Sequence, residues 1–315
     1  MATRGAAARK HLERLLRVAT CLAEGGYGAQ VAQLAATARA FYSDAQVWAA
    51  QVHHRGALGR THLMHAARMG SAVRAQYLLD RGAAVDAVTV NGGTALMGAS
   101  AKGHLETVRC LVERGGANVN AARTTDGMTA LMYASRSGHL EIVRCLVERR
   151  GANVNAARTN GWTALMLASF EGHLEITRCL VERGSANVNA VGTTDGMTAL
   201  MWASGEGHLE IVRFLVERGG ASVNAAMDGY TSLMVASETG HLEIARFLVE
   251  RGGANVNVVS TVDGWTALMV ASAKGHLAIV SLLLQRGADR HALSHEGESA
   301  HALAAGHPLV QAALA

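Results

Sequence analysis

Proline occurs once in the 315 residues, at Pro308, and aromatic side chains supply only 4% of the chain although half of it is hydrophobic. A core must therefore be assembled from Ala, Leu, Val, Ile and Met, a composition that suits slender, closely packed helices. No apolar run reaches the length of about eighteen residues that a membrane span needs, so no helix is expected to cross a bilayer. The four cysteines, Cys21, Cys110, Cys145 and Cys179, form no CxxC pair and no other metal-ligand spacing. The last three fall at equivalent places where neighbouring segments carry Tyr77, Phe214, Phe247 and Leu282. A slot that takes Cys or Phe is apolar and buried. Helices stacked roughly 8–10 Å apart would hold such cysteines too far apart to bridge. Reduced thiols, and with them a cytoplasmic or nuclear setting, are the expectation.

Catalytic motifs are missing as well. There is no Gly-x-Ser-x-Gly elbow, phosphate loop or HExxH, and no paired zinc cysteines. The acids Asp126, Asp195, Asp228 and Asp263 are spread along the chain, whereas an enzyme needs its acids and bases within reach of one bound group. Seven histidines, His104, His139, His173, His208, His241, His276 and His307, each follow a glycine at regular intervals too wide to share a metal. Turn or cap hydrogen bonding is their expected work. The formal charge is +4, and most arginines lie one helical turn from a glutamate, which argues against a phosphate-binding face. No enzyme activity, cofactor, metal, nucleic acid or membrane partner is expected.

What is present is a period. A Gly-x-Thr/Ser triplet starts at Gly59, Gly92, Gly127, Gly161, Gly196, Gly229, Gly264 and Gly297, so successive spacings run from 33 to 35 residues, the mark of a repeat array. One unit, DGMTALMYASRSGHLEIVRCLVERRGANVN from Asp126 to Asn155, shows the logic. Thr129 is placed to cap the helix that follows it. Ala134 and Ser135 are small enough for adjoining helices to approach closely. Gly138 and His139 end that helix, since glycine takes the left-handed conformation cheaply. The second helix is apolar except for Glu141, Arg144 and Glu148, which form one narrow solvated stripe of acid–base pairs.

These motifs resemble the ankyrin repeat family, whose unit carries a D-G-x-T-P-L-H opening, a short helix, a G-H turn, a longer helix and a G-A-D-V-N ending. The resemblance covers residues 59 to 315. It implies an all-α solenoid of helix-turn-helix units joined by β-hairpin loops, with seven full repeats and a short C-terminal capping repeat. Two departures stand out. The family's proline is Ala in most units, as at Ala95, Ala130 and Ala164, with His62 in the first and Ser232 in the sixth. Its histidine is Met throughout, at Met64, Met97, Met132, Met166, Met201, Met234 and Met269, which predicts an apolar contact in place of a polar one. Repeats two to six also carry one extra residue where the second helix stops.

Residues 1 to 58 do not fit the period. Leu12, Leu15, Leu16, Val18, Ala19 and Leu22, then Val31, Leu34, Ala35, Ala38 and Phe41, cluster at helical spacing, as in a helical cap over the first repeat. Ala29 to Val52 resembles the second half of an F-box through Val31, Leu34, Phe41, Ser43, Asp44 and Trp48, but lacks that family's Leu-Pro opening. The first twenty residues are basic and Ala-rich with one acid, Glu13, as in an organelle transit peptide, yet poor in serine. At the other end, the shortened eighth unit with Pro308 reads as a capping repeat.

The resemblance implies a function: a non-catalytic scaffold, expected to be monomeric, that binds another protein or peptide in the concave groove formed by finger tips and first helices. An F-box-like N-terminal segment would instead imply a substrate adaptor of a ubiquitin ligase. Carried over position by position, the residue after each finger glycine projects toward the partner. In five consecutive middle repeats it is Met128, Trp162, Met197, Tyr230 and Trp265. Near the end of the first helix lie Arg136, Phe170, Glu171, Glu206 and Glu238. Apolar anchors rimmed by charge read as a protein-binding strip, with the three middle glutamates favouring a basic segment.

Overall fold

A computed structural model describes residues 56 to 226 and 229 to 315. The F-box-like segment, the transit character of the first twenty residues, Cys21 and all but the last three residues of the expected cap lie outside the described residues. Among the latter, sixteen α-helices fall in eight consecutive pairs, one pair to each repeat. They are α1 His62–Arg68, α2 Ala72–Asp80, α3 Ala95–Lys102, α4 Leu105–Arg109, α5 Ala130–Arg136, α6 Leu140–Arg150, α7 Ala164–Phe170 and α8 Leu174–Glu182. The series continues with α9 Ala199–Gly205, α10 Leu209–Glu217, α11 Ser232–Thr239, α12 Leu242–Glu250, α13 Ala267–Ala273, α14 Leu277–Gln285, α15 Ala300–Leu303 and α16 Pro308–Leu314. Each odd-numbered helix packs on the odd-numbered helices of adjoining repeats and on the even-numbered helix that follows it. The result is the expected all-α solenoid of two helical layers. Its fingers carry no strands among the described residues, only isolated antiparallel bridges such as Ala122 with Thr129 and Ala157 with Thr163.

Every odd-numbered helix begins in the same way. From Thr61 to Thr266 the N-cap threonine hydroxyl accepts the backbone N–H of the methionine three residues on, at 3.2–3.3 Å, and Ser299 caps α15 likewise. Those methionines are core residues, 1–9% exposed. At Met64 and Met201 the thioether sulfur also accepts the N–H of the capping threonine at 3.5 Å, so a soft apolar side chain keeps part of a polar cap. The small pair that follows, such as Ala134 and Ser135, is completely buried, which lets odd-numbered helices stack without a gap.

The Gly-His turn does more than stop a helix. His208 donates from Nε2 to the carbonyl of Phe170 in the previous repeat at 3.0 Å, and five other turn histidines make the equivalent bond at 3.0–3.2 Å. A carbonyl only accepts, so each ring carries its proton on Nε2. The ring lies against the preceding repeat's turn glycine. At Gly172, φ is 81° and an added Cβ would come within 2.6 Å of the His208 ring. Glycine is therefore required there both for its backbone angle and for the ring's seat.

Even-numbered helices form the outer layer with their charged stripe in water. Arg109, Arg144, Arg178, Arg213 and Arg246 each pair with the glutamate three residues earlier at 3.0–3.8 Å. Arg183, Arg218 and Arg286 reach glutamates of the preceding repeat. Cys145 and Cys179 sit in the buried slot also filled by Phe214, Phe247 and Leu282, and Cys110, Cys145 and Cys179 are all free thiols. The extra residue of the middle repeats is absorbed where the helix stops: the N–H groups of Gly115, Gly184, Gly219 and Gly252 close on carbonyls five residues back. In repeat two this widens into a π-helical turn, Cys110–Arg114.

Beyond each stop runs a ladder of asparagines. Asn155 Oδ1 accepts the backbone N–H of Asn187 in the next repeat at 2.7 Å, and Asn155 Nδ2 donates to the Ser185 carbonyl at 3.3 Å. Links of the same kind join Asp86, Asn120, Asn155, Asn189, Asn224 and Asn257 to the repeat that follows each.

Candidate functional site

The side of the solenoid where fingers meet odd-numbered helices is indented by clefts and varied in side chains. Each finger is held by an aspartate or asparagine turn: Asp126, Asn160, Asp195 and Asp263 accept, through Oδ1, the N–H of the residue after the finger glycine at 3.0–3.2 Å. Fingers also bond to one another, Thr159 N–H to the Asp126 carbonyl and Thr193 N–H to the Asn160 carbonyl. The residues after the glycine are thus displayed from a fixed scaffold.

The structure divides the expected anchors. Met128 is only 2% exposed, which corrects its assignment as a projecting anchor: its unbranched side chain folds completely onto the core. Trp162, Met197, Tyr230 and Trp265 at the same position stay half-buried. Trp162 lies 5.8 Å from Phe170 and 4.5 Å from Trp202, and Phe170 meets Trp202 edge-on at 5.2 Å. The Trp162 indole N–H donates to Asp195 of the next finger at 2.5 Å. Tyr230 donates to Glu238 at 2.6 Å, and Glu238 in turn pairs with Lys274 at 3.2 Å. Met197 and Tyr230 share the wall of one cleft, whereas no ring of the described residues stacks on Trp265. Arg136, Glu171 and Glu206 are exposed.

Trp202 was missed by reasoning on finger positions. It occupies the fourth residue of α9, where α5 has Tyr133 and α3 has Gly98. Aromatics at that second position were the available signal. Trp202 completes the triad, and its indole N–H is buried without an acceptor.

Two clefts open on this face. The larger, about 670 Å³, spans repeats one to three and is lined by Arg60, His65, Arg68, Gly98, Arg123 and Tyr133 among others. The smaller, about 330 Å³, spans repeats five to seven, with Asp195, Met197, Tyr230 and Asp263 in its wall. Electrostatics differ between them. Arg123 grips both oxygens of Asp126 and Arg158 stands 3.7 Å from it, and the Arg123 hydrogen bond, first among the causes, holds the Asp126 carboxyl below its ordinary range. Burial first, then the bond to Glu238, raises the Tyr230 phenol well above its ordinary value. The same bond, with help from Lys274, lowers Glu238. Among the described residues no group of three or more His, Cys, Asp or Glu is placed to hold a metal, and no helix is long and apolar enough to cross a membrane.

A family model described as ankyrin repeats (3 copies) matches the chain in six overlapping spans, 33–123, 63–158, 116–191, 150–227, 184–260 and 220–294. The chain belongs to the ankyrin repeat family. The first ankyrin match begins inside the segment read as a cap. No curated protein matches the chain. Ankyrin repeats are in general non-catalytic modules for protein–protein interaction, and the ankyrin groove of this chain is where its own side chains depart from the shared frame.

Proposed function

We propose that the chain is a non-catalytic scaffold, working as a monomer, that holds an extended partner polypeptide along the groove of repeats three to seven. The observation that carries this reading is the Trp162–Phe170–Trp202 triad, three half-buried rings from a finger and two first helices gathered on one face. Half-exposed aromatics on a rigid backbone bring large contact area at small cost in side-chain entropy. Met197, Tyr230 and Trp265 extend the apolar strip, and Arg136, Glu171, Glu206 and Glu238 rim it. The self-paired charges of the outer layer support a protein partner over nucleic acid or a lipid surface. Free thiols support a reducing compartment, cytoplasm or nucleus.

The test is site-specific photocrosslinking in the source cells, with the crosslinker placed at Glu206 in the groove or at Glu175 on the outer layer. Both positions are exposed. A protein captured from Glu206, absent from Glu175, and lost when Trp202→Ala is added to the Glu206 crosslinker carrier is the expected result. Equal capture from both faces, or capture indifferent to Trp202, would overturn the reading.

A further inference from the structure

We propose that the partner segment is charge-polarised, with an acidic end seated in the cleft of repeats one to three, an apolar middle on the aromatic triad and a basic end at the cleft of repeats five to seven. This deepens the groove reading above and rests on it.

Three observations carry the polarity. The last groove-facing residue of the first helix changes along the array: Arg68, Ala101, Arg136, Phe170, Gly205, Glu238 and Ala273 in repeats one to seven. One structural position thus passes from cationic through aromatic to anionic. The two clefts repeat the pattern. The wall of the larger includes Arg60, Arg68 and Arg123 and no carboxylate. Arg60 and Arg68 are exposed, and among the described residues no carboxylate pairs with either. Gly93 and Gly98 leave the floor open, so an entering side chain has room to reach both guanidinium groups. The smaller cleft reverses the sign: its wall holds Asp195 and Asp263 and no cation. Each of these aspartates uses Oδ1 for its finger turn, Asp195 also accepts the Trp162 indole N–H through Oδ2, and the two face the cleft from separate fingers, leaving Asp263 with the freer carboxylate.

Geometry fixes the spacing. The larger cleft is centred on repeat two and the smaller on repeat six, four steps apart. At roughly 8–10 Å per step and about 3.3 Å per extended residue, the two charged ends of the partner lie about ten to twelve residues apart. Opposed charge at the two ends also sets direction. A segment threaded backwards would place its acid against Asp195 and Asp263, and like-charge juxtaposition is strongly penalised.

The experiment is selection from a random library of peptides about twenty residues long, displayed on phage, against the full chain at low salt. The expected winners carry an acidic cluster and a basic cluster about ten to twelve residues apart, in one order only, with aromatic or branched apolar residues between. Repeating the selection on the Arg60→Glu/Arg68→Glu double variant should remove the acidic cluster and weaken the original winners at least about tenfold. Asp263→Asn should weaken them through the basic end, since Asn160 shows that asparagine serves the finger turn. Thermal unfolding of the arginine double variant and of Asp263→Asn should match the parent. Winners that need Trp202 yet lack opposed ends overturn the polarity and leave the groove reading intact. No winner that depends on Trp202 overturns both.

Discussion

Ser185 shows how much one backbone angle matters in a repeat. It sits at φ 54° where four other repeats place Gly116, Gly151, Gly220 and Gly253 at 64–70°. A side chain in the left-handed region costs about 1–2 kcal/mol, against which glycine's extra freedom in the unfolded chain sets roughly 0.4–1 kcal/mol. Ser185→Gly should therefore stabilise the array by about 0.5–1 kcal/mol, read as a shift of the urea unfolding midpoint at unchanged slope. Tyr230 and Glu238 make a second residue-scale case. Glu238 is depressed in the folded state, so its bond contributes fully above the ordinary glutamate range and is lost as pH falls through the folded value. Tyr230 is raised, so its contribution is complete below the ordinary tyrosine value of about 10 and is lost as pH rises through the folded one. Unfolding measured across pH should show the parent more stable than Tyr230→Phe near neutrality, with the gap closing at both acid and alkaline extremes. A gap independent of pH would show that the bond carries none of it.

At the scale of helices and turns, the joints between repeats are polar and the contacts are apolar. His208→Ala removes one bond between the turn and α7 and should cost about 1 kcal/mol in chemical denaturation. Gly172→Ala should cost more than His208→Ala, because it strains φ and unseats the His208 ring together. The double variant should then be less destabilised than the sum of the two, since removing the ring relieves the clash. This frame was legible in the sequence because it is local: Thr129 capping Met132, a glycine at each stop and the Glu141–Arg144 pair all lie within four residues. The asparagine ladder was less legible, since an Asn pair such as Asn153 and Asn155 reads as loop composition until its bonds to neighbouring repeats are seen. The contents of the groove were least legible. Trp162 and Trp202 are forty residues apart in the chain, and one finger position holds both a sealed Met128 and a half-exposed Trp162. Met197 at that position is half-buried while Met128 is sealed, so the local packing of each finger, not residue type, decides between those outcomes, and period alone does not show it.

For the molecule as a whole, stability is a sum over neighbours, so its ends are its weak points. Helix α15 has four residues and Leu309 of α16 is 72% exposed, whereas α5 to α12 have a repeat on either side. Amide hydrogen exchange should be slowest in α5, α7, α9 and α11 and fastest in α15 and α16; uniform protection along the array would contradict this picture. The asparagine ladder has a further consequence, at the level of the gene. Every step offers the same acceptor below and the same donor above, so a unit excised or copied between two finger glycines rejoins its neighbours in register. Unequal recombination between such similar segments then lengthens or shortens the array by whole steps without breaking the fold. Each event moves the arginine-walled and the aspartate-walled clefts closer together or further apart by one step, while the asparagine links that join each step to the next are kept.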